Sequence, residues 1–274
     1  MIAEANPKAA SSKRHAKVEF LGLNFDDFDA SEALEEVIHR IGKPTFFYLV
    51  TPNVDHVVGL NRSQDTMFLD AYAHADMTLC DSRILSLLAG KSALSLKAVP
   101  GSDLTRRLLA TSGTVWRCAI IGGDDALYAR IVRIFPQHHW THHQPPMGVR
   151  RNDAARSKIA DFVEHADADI IFFAIGSPQS EICCYEIAQR GRARGVALCI
   201  GASLEFITGV KKRAPLWIQR ASLEWLHRLM SEPRRLGRRY LVEGPNIFLI
   251  YCRWSKVRVA RRHDGSGSNP SAGQ

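Results

Sequence analysis

This sequence predicts an α/β fold, a mostly parallel sheet flanked by helices, followed by a basic C-terminal appendage. Three observations carry that reading. Short β-branched and aromatic runs recur at 45–50, 115–121, 169–175 and 196–200. Stretches of helical period separate them, the pattern of βαβ units. Charge is also uneven along the chain. Residues 211–262 hold 14 Lys/Arg against three acids, a balance of +11, whereas residues 1–210 hold 22 against 24, a balance of −2.

The elements follow in order. Residues 1–17 read as a loose leader, with no apolar stretch that would mark a signal peptide. FLGLNFDDFDASEALEEVIHRI, from Phe20, predicts one short strand, a turn with Ser31 as N-cap, and an amphipathic helix. Thr45–Val50 is a buried strand, broken by Thr51-Pro52-Asn53 and followed by helical sequence from Val54. Asp76–Cys80 is a second apolar segment, ending at Asp81-Ser82. Val115–Ile121 ends in Gly122-Gly123 and leads into a helix; the His-rich run at 138–143 suits an edge strand. Asp169–Ile175 ends in GSPQSE (176–181), and Val196–Ile200 ends in GASLEF (201–206). We therefore divide the chain into a leader (1–17), an α/β domain (18–210), a basic amphipathic appendage (211–262) and a disordered tail (263–274). The apolar run Ile247–Cys252 is far short of the roughly 20 residues of a spanning helix, so a membrane would be met only at its surface.

In open parallel sheets, ligands bind outside the carboxyl ends of the strands. That rule selects the loops 51–53, 81–83, 122–125, 176–181 and 201–205. Gly122 and Gly123 could let backbone N–H groups approach a phosphate, although a glycine pair is also the ordinary device of a tight turn. Asp81 could act as a general base or could cap the helix that follows it. Asp103 reads as a helix-start residue. His138, His139, His142 and His143 invite a metal, but strand alternation would split them between two faces, and no carboxylate lies among them. Six cysteines without a C-x-x-C pair read as buried thiols. A dinucleotide fingerprint, a Walker sequence and a G-x-S-x-G elbow are all absent from the sequence. That argues against a nucleotide-sugar dehydrogenase or epimerase and against a hydrolase. The basic segment alone would permit nucleic-acid binding, but its tryptophan and leucine spacing suits a lipid face or a core better than a phosphate track, and no nucleic-acid motif is present.

TPN at 51–53, Asp81, VPGSDL at 99–104, GSPQSE and KKRAPLWIQRASLEWLHRLMSEPRRLGRRY at 211–240 together resemble the WecG/TagA/CpsF family of bacterial glycosyltransferases. The likeness extends over roughly residues 18–252, and the C-terminal motifs are its most specific part. It implies a Rossmann-like domain whose helical appendage helps to close the active site and touches the membrane. The implied reaction is an inverting, metal-independent transfer from a UDP-sugar to an undecaprenyl-diphosphate-linked saccharide, with no cofactor. Carried over by motif, Asp81 is the base. Thr51, Asn53, Gly122, Gly123, Gln179, Ser180, Glu205, Lys212, Arg213 and Arg220 are candidates for the substrate pocket, with Lys211 beside them. Arg234, Arg235, Arg238, Arg239 and Trp254 are assigned to an anionic membrane surface on the inner face of the cell membrane. Homo-oligomer formation and a non-catalytic role both stay open. Three motifs depart from the family. GSPQSE stands for G-x-P-K-Q-E, so the family Gln falls on Ser180 with Gln179 one place early, and either could take its part. Asp81-Ser82 stands for D-G, and GASLE for G-G-x-F-D.

Overall fold

The computed structural model describes residues 16–212, 214–215, 217–218 and 223–265. A short antiparallel hairpin comes first, β1 (Lys17–Phe20) and β2 (Leu23–Asp26), where one strand was expected. Its two turn residues, Leu21 and Gly22, both have positive φ (53° and 85°), as a two-residue hairpin turn requires. Leucine rarely occupies that conformation, so the turn carries no readable signal. Lys17, assigned to the leader, therefore lies in a strand.

Six further strands make one sheet: β3 (Phe46–Val50), β4 (Met77–Thr78), β5 (Arg117–Ile121), β6 (His139–His143), β7 (Ile170–Phe173) and β8 (Gly195–Cys199). Their order is β4-β3-β8-β7-β5-β6, and each neighbouring pair is parallel. The expected α/β class is thus what the chain adopts, with β6 as the edge strand anticipated at the histidines.

The helices of the body are α1 (Ala30–Arg40), α2 (Val54–Arg62), α3 (Thr66–Ala73), α4 (Arg83–Lys91), α5 (Gly101–Leu109), α6 (Asp125–Ile134), α7 (Asp153–His165), α8 (Gln179–Arg190) and α9 (Ser203–Ile207). Period-two alternation divides the sheet's side chains between two cores. Tyr48, Val50, Ile171, Phe173 and Ala197 face a core built with α2, α3, α4, α7 and α8. Phe47, Leu49, Ile170, Phe172 and Leu198 face a second core built with α1, α5, α6 and α9. Both faces are covered, which explains why these strands read as continuous apolar runs.

Local chemistry sets the helix starts. Asp29, and not the expected Ser31, caps α1, in a reciprocal capping box with Glu32. Asn53, Asp65, Ser82, Asp124 and Asn152 cap α2, α3, α4, α6 and α7. Asp103 lies in the first turn of α5.

The appendage is helical. It comprises α10 (Glu224–Ser231), α11 (Pro233–Arg238), a π-helical turn at Arg239–Glu243, and α12 (Asn246–Gly265). Ile247 of α12 is buried in the first core, while Trp254 meets Phe20 edge to face at 5.1 Å. The Tyr251 and Ser92 hydroxyls share a hydrogen bond of 2.8 Å. α12 continues through residues 263–265, which the sequence assigned to the tail; residues 266–274 lie outside the described residues.

Candidate functional site

β3 and β8 lie side by side, yet α2 leaves toward one core and α9 toward the other. Loops that part in this way open a crevice at the carboxyl edge of the sheet. A cavity of about 840 Å³ occupies it, and the appendage contributes to its lining through Glu224, Trp225, Arg228, Arg239, Tyr240 and Phe248.

Thr51 is buried at the end of β3, where its hydroxyl donates to the Cys199 carbonyl at 3.1 Å and ties the two strand ends together. Asn53 borders the cavity while its side-chain oxygen accepts from the Asp55 and His56 amides, at 3.0 and 3.4 Å. Asp81 also lines the cavity, held by its own amide donating to the Pro52 carbonyl at 3.0 Å. Ser82, whose hydroxyl accepts from the Leu85 amide, is the N-cap of the following helix.

The two glycines differ. Gly123 reaches the cavity, and a Cβ there would stand 2.6 Å from Leu127 Cδ2. Gly122 does not reach it. Its N–H donates to the His143 carbonyl at 2.9 Å, and a Cβ would collide with Ile175 at 2.5 Å. Gly122 therefore serves close packing in place of the phosphate approach expected for it.

At the start of α8 the structure separates the two candidates for the family glutamine. Ser180 lines the cavity, its hydroxyl donating to the Gly176 carbonyl at 2.9 Å. Gln179 lies outside the lining, and its amide points back to the Ile175 carbonyl at 3.4 Å. Glu205 lines the cavity and accepts a 2.6 Å hydrogen bond from Lys211 Nζ. Lys212 is exposed and outside the lining. Arg213 and Arg220 lie outside the described residues, as does the side chain of Arg235.

Arg239 needs the clearest correction. The sequence placed it on a membrane surface, whereas the structure turns it inward, 2.5 Å from Asp55 Oδ2 in the cavity wall. Burial raises the Asp55 carboxyl and Arg239 opposes that rise. Arg228, also on the wall, stacks its guanidinium 5.1 Å over Phe206. Trp254, likewise assigned to the surface, packs against Phe20 and sits under the Arg258 guanidinium. Arg234 and Arg238 are exposed as expected, Arg238 pairing with Glu243 at 3.2 Å.

A buried polar group at the cavity escaped the sequence reading. Glu181, 2% exposed, accepts from the Tyr72 hydroxyl at 3.0 Å through Oε1. Ser177 stands close enough to favour the ionised form, but no donor meets Oε2 in hydrogen-bond geometry. Burial pushes this carboxyl up to about 7. His56 stands edge-on to Tyr72, and burial first, then Arg239, lowers its imidazole to about 3. Glu181 ends the motif GSPQSE and His56 follows TPN by three residues, but nothing in a single sequence marks them as buried.

The histidine run serves the sheet edge. His142 stacks on Tyr128 and His143 on Phe162, on opposite faces of β6. Among the described residues, no three His, Cys, Asp or Glu gather in a metal-holding group.

Comparison with known proteins adds chemistry to this geometry. A family model described as "Glycosyl transferase WecG/TagA/CpsF family" matches residues 18–262. A Staphylococcus aureus (strain MRSA252) protein described as N-acetylglucosaminyldiphosphoundecaprenol N-acetyl-beta-D-mannosaminyltransferase is 25% identical over 259 residues. The aligned region covers 90% of this chain and 96% of that protein.

Proposed function

Since the chain belongs to the WecG/TagA/CpsF family of glycosyl transferases, we propose that it moves a hexose-type sugar from a UDP-sugar to an undecaprenyl-diphosphate-linked saccharide, with inversion, in the assembly of a bacterial surface or exported polysaccharide. The name of the staphylococcal relative supports the lipid-linked acceptor. The observation that carries the reading is the position of Asp81, at the carboxyl edge of the sheet, in a cavity whose lining also holds Lys211, Arg228 and Arg239.

The division of labour follows from charge. The acceptor hydroxyl loses a proton as it attacks the anomeric carbon, and a carboxylate within about 3 Å of that oxygen can take it. Asp81 has that part in our reading. The bond from the anomeric carbon to the UDP oxygen breaks on the opposite face, and negative charge gathers on the departing diphosphate. Cations held in a partly dry wall stabilise that charge better than the same cations in water. Lys211 and Arg239 now neutralise Glu205 and Asp55. A diphosphate would recruit them from those partners, with Arg228 beside them. Thr51, Asn53, Gly123 and Ser180 line the remaining walls against the donor.

The lipid acceptor places the reaction at a bilayer. Among the described residues, no helix is long and apolar enough to cross one. The appendage instead exposes Trp217, Met230, Leu241, Val242, Phe248 and Leu249 beside the exposed cations Arg234 and Arg238. Apolar residues interleaved with cations suit the inner face of an anionic membrane. We therefore read the protein as peripheral.

Asp81→Asn provides the test. With a panel of UDP-sugars and a synthetic polyprenyl-diphosphate acceptor, the variant should bind donor normally and lose about 10²–10⁴-fold in kcat, the usual worth of a general base. Unchanged kcat would remove Asp81 from the base role. No product from any UDP-sugar with the parent protein would overturn the reading as a whole.

A further inference from the structure

A second cavity, of about 930 Å³, lies on the body away from the catalytic crevice. The β1–β2 hairpin and the end of α2 form one side, and one face of α12 forms the other. That face is helically spaced: Asn246, Leu249, Ile250, Arg253, Trp254 and Val257. The catalytic crevice takes a different set from the same helix, Ile247 and Phe248.

The second cavity has two kinds of wall. Val18, Leu94, Leu249, Ile250 and Val257 make it apolar, and Leu249 and Val257 are more than half exposed. Lys17, Arg62, Arg253 and Arg258 make it cationic against a single acid, Glu19. Two of these cations are already engaged. Lys17 stands 3.7 Å from Asp26, and Arg258 donates to the Ser92 carbonyl at 3.1 Å while covering the Trp254 ring. Arg62 and Arg253 are exposed and form no ion pair among the described residues.

We propose that this groove is a binding site for an anionic phospholipid of the bilayer, with Arg62 and Arg253 gripping the phosphate and the Leu249–Val257 side taking the start of an acyl chain. Charge complementarity selects the occupant. An excess of cations above an apolar floor matches a molecule that is anionic at one end and hydrocarbon at the other. A soluble anion would leave Leu249 and Val257 wet, and a zwitterionic lipid offsets its phosphate with its own ammonium, leaving the two guanidinium groups no net charge to match. The packing of Trp254 against Phe20 holds the groove in shape without a ligand. The proposal extends the peripheral reading given above, because it replaces diffuse attraction by one discrete site.

The experiment is co-sedimentation of the full chain with phosphatidylcholine vesicles, with and without phosphatidylglycerol. Each cation near an anionic surface contributes about 1 kcal/mol, so R62Q/R253Q should weaken binding to the anionic vesicles roughly thirtyfold. It should change binding to neutral vesicles little. R130Q/R133Q, an equal charge loss on the exposed side of α6, is the control and should cost less than about threefold. All four positions are exposed, so melting temperatures should match the parent. A soluble short-chain acceptor should be glycosylated by R62Q/R253Q at the parental rate, which separates this proposal from the catalytic one. Equal losses in the two pairs would mean diffuse charge and would overturn the site, as would undiminished anionic binding in R62Q/R253Q. A parent protein that ignores both kinds of vesicle would overturn the site and the peripheral reading together.

Discussion

The body and the appendage of this chain are built by different rules. In the body, six of the nine helices carry a side-chain N-cap, and the strands are buried on both faces. In the appendage, neither α10 nor α11 has a side-chain cap, α10 buries no residue, and Met230 is 77% exposed. Both regions are rich in leucine and aromatic residues. The difference lies in where those residues are spent. The body uses them against one another, whereas the appendage leaves many of them uncovered beside arginines. A helix with uncapped ends and a bare apolar side gains little from its own sequence. It relies on neighbours, here the cavity wall and, in our reading, the bilayer.

Four variants test that contrast, beginning with the largest effect on stability. Phe172→Ala removes a fully buried ring from the second core and should cost about 3–5 kcal/mol in denaturant unfolding. A loss below 1 kcal/mol would mean that the body is not packed as described. Glu181→Gln comes next and is read against pH. The Glu181 carboxyl lies above its ordinary range when folded, so it holds its proton more tightly in the folded chain than in the unfolded one. Its contribution to stability is complete below about pH 4.5 and is lost as the pH rises to about 7. The amide cannot titrate, so the variant should gain on the parent by about 3 kcal/mol across that window. His56 titrates with the opposite sign, its depressed imidazole losing stability as the pH falls from about 6.5 toward 3. The difference between variant and parent is therefore the quantity to measure, and a flat difference would show that Glu181 does not titrate there. Asp29→Ala opens the capping box of α1 and should lower stability by about 1 kcal/mol. Smallest for the fold is the appendage pair Leu241→Ser with Val242→Ser, both more than 60% exposed, which should change stability by less than about 0.5 kcal/mol. The same pair should visibly reduce vesicle co-sedimentation, and unchanged co-sedimentation would count against an appendage that faces lipid.

Much of the sheet was legible because strands covered on both faces must be apolar, and β3, β7 and β8 are throughout, as is β5 after Arg117. The position of Asp81 was legible because it follows such a run directly. The hairpin was not, since Leu21 holds a conformation that its residue type does not advertise. Ser31 looked like a cap, but Asp29 and Glu32 have the spacing of a capping box, and that signal was available. Arg239 marks the physical limit. A cation in a basic run reads the same whether it faces lipid or an acid within the protein, and only Asp55, 184 positions away, decides between them. Glu181 is the converse case, a buried carboxylate whose hydrogen-bond donor, Tyr72, lies 109 positions away.

The inward turn of Arg239 has one more consequence. Its guanidinium belongs to the helical stretch that exposes Leu241 and Val242, only two and three residues further on. A shift of that stretch against its surroundings would drag a cation of the cavity wall with it. On the peripheral reading proposed above, turnover and location would then be mechanically geared, and a copy adrift in bulk water would hold its cavity differently from a copy seated on a bilayer.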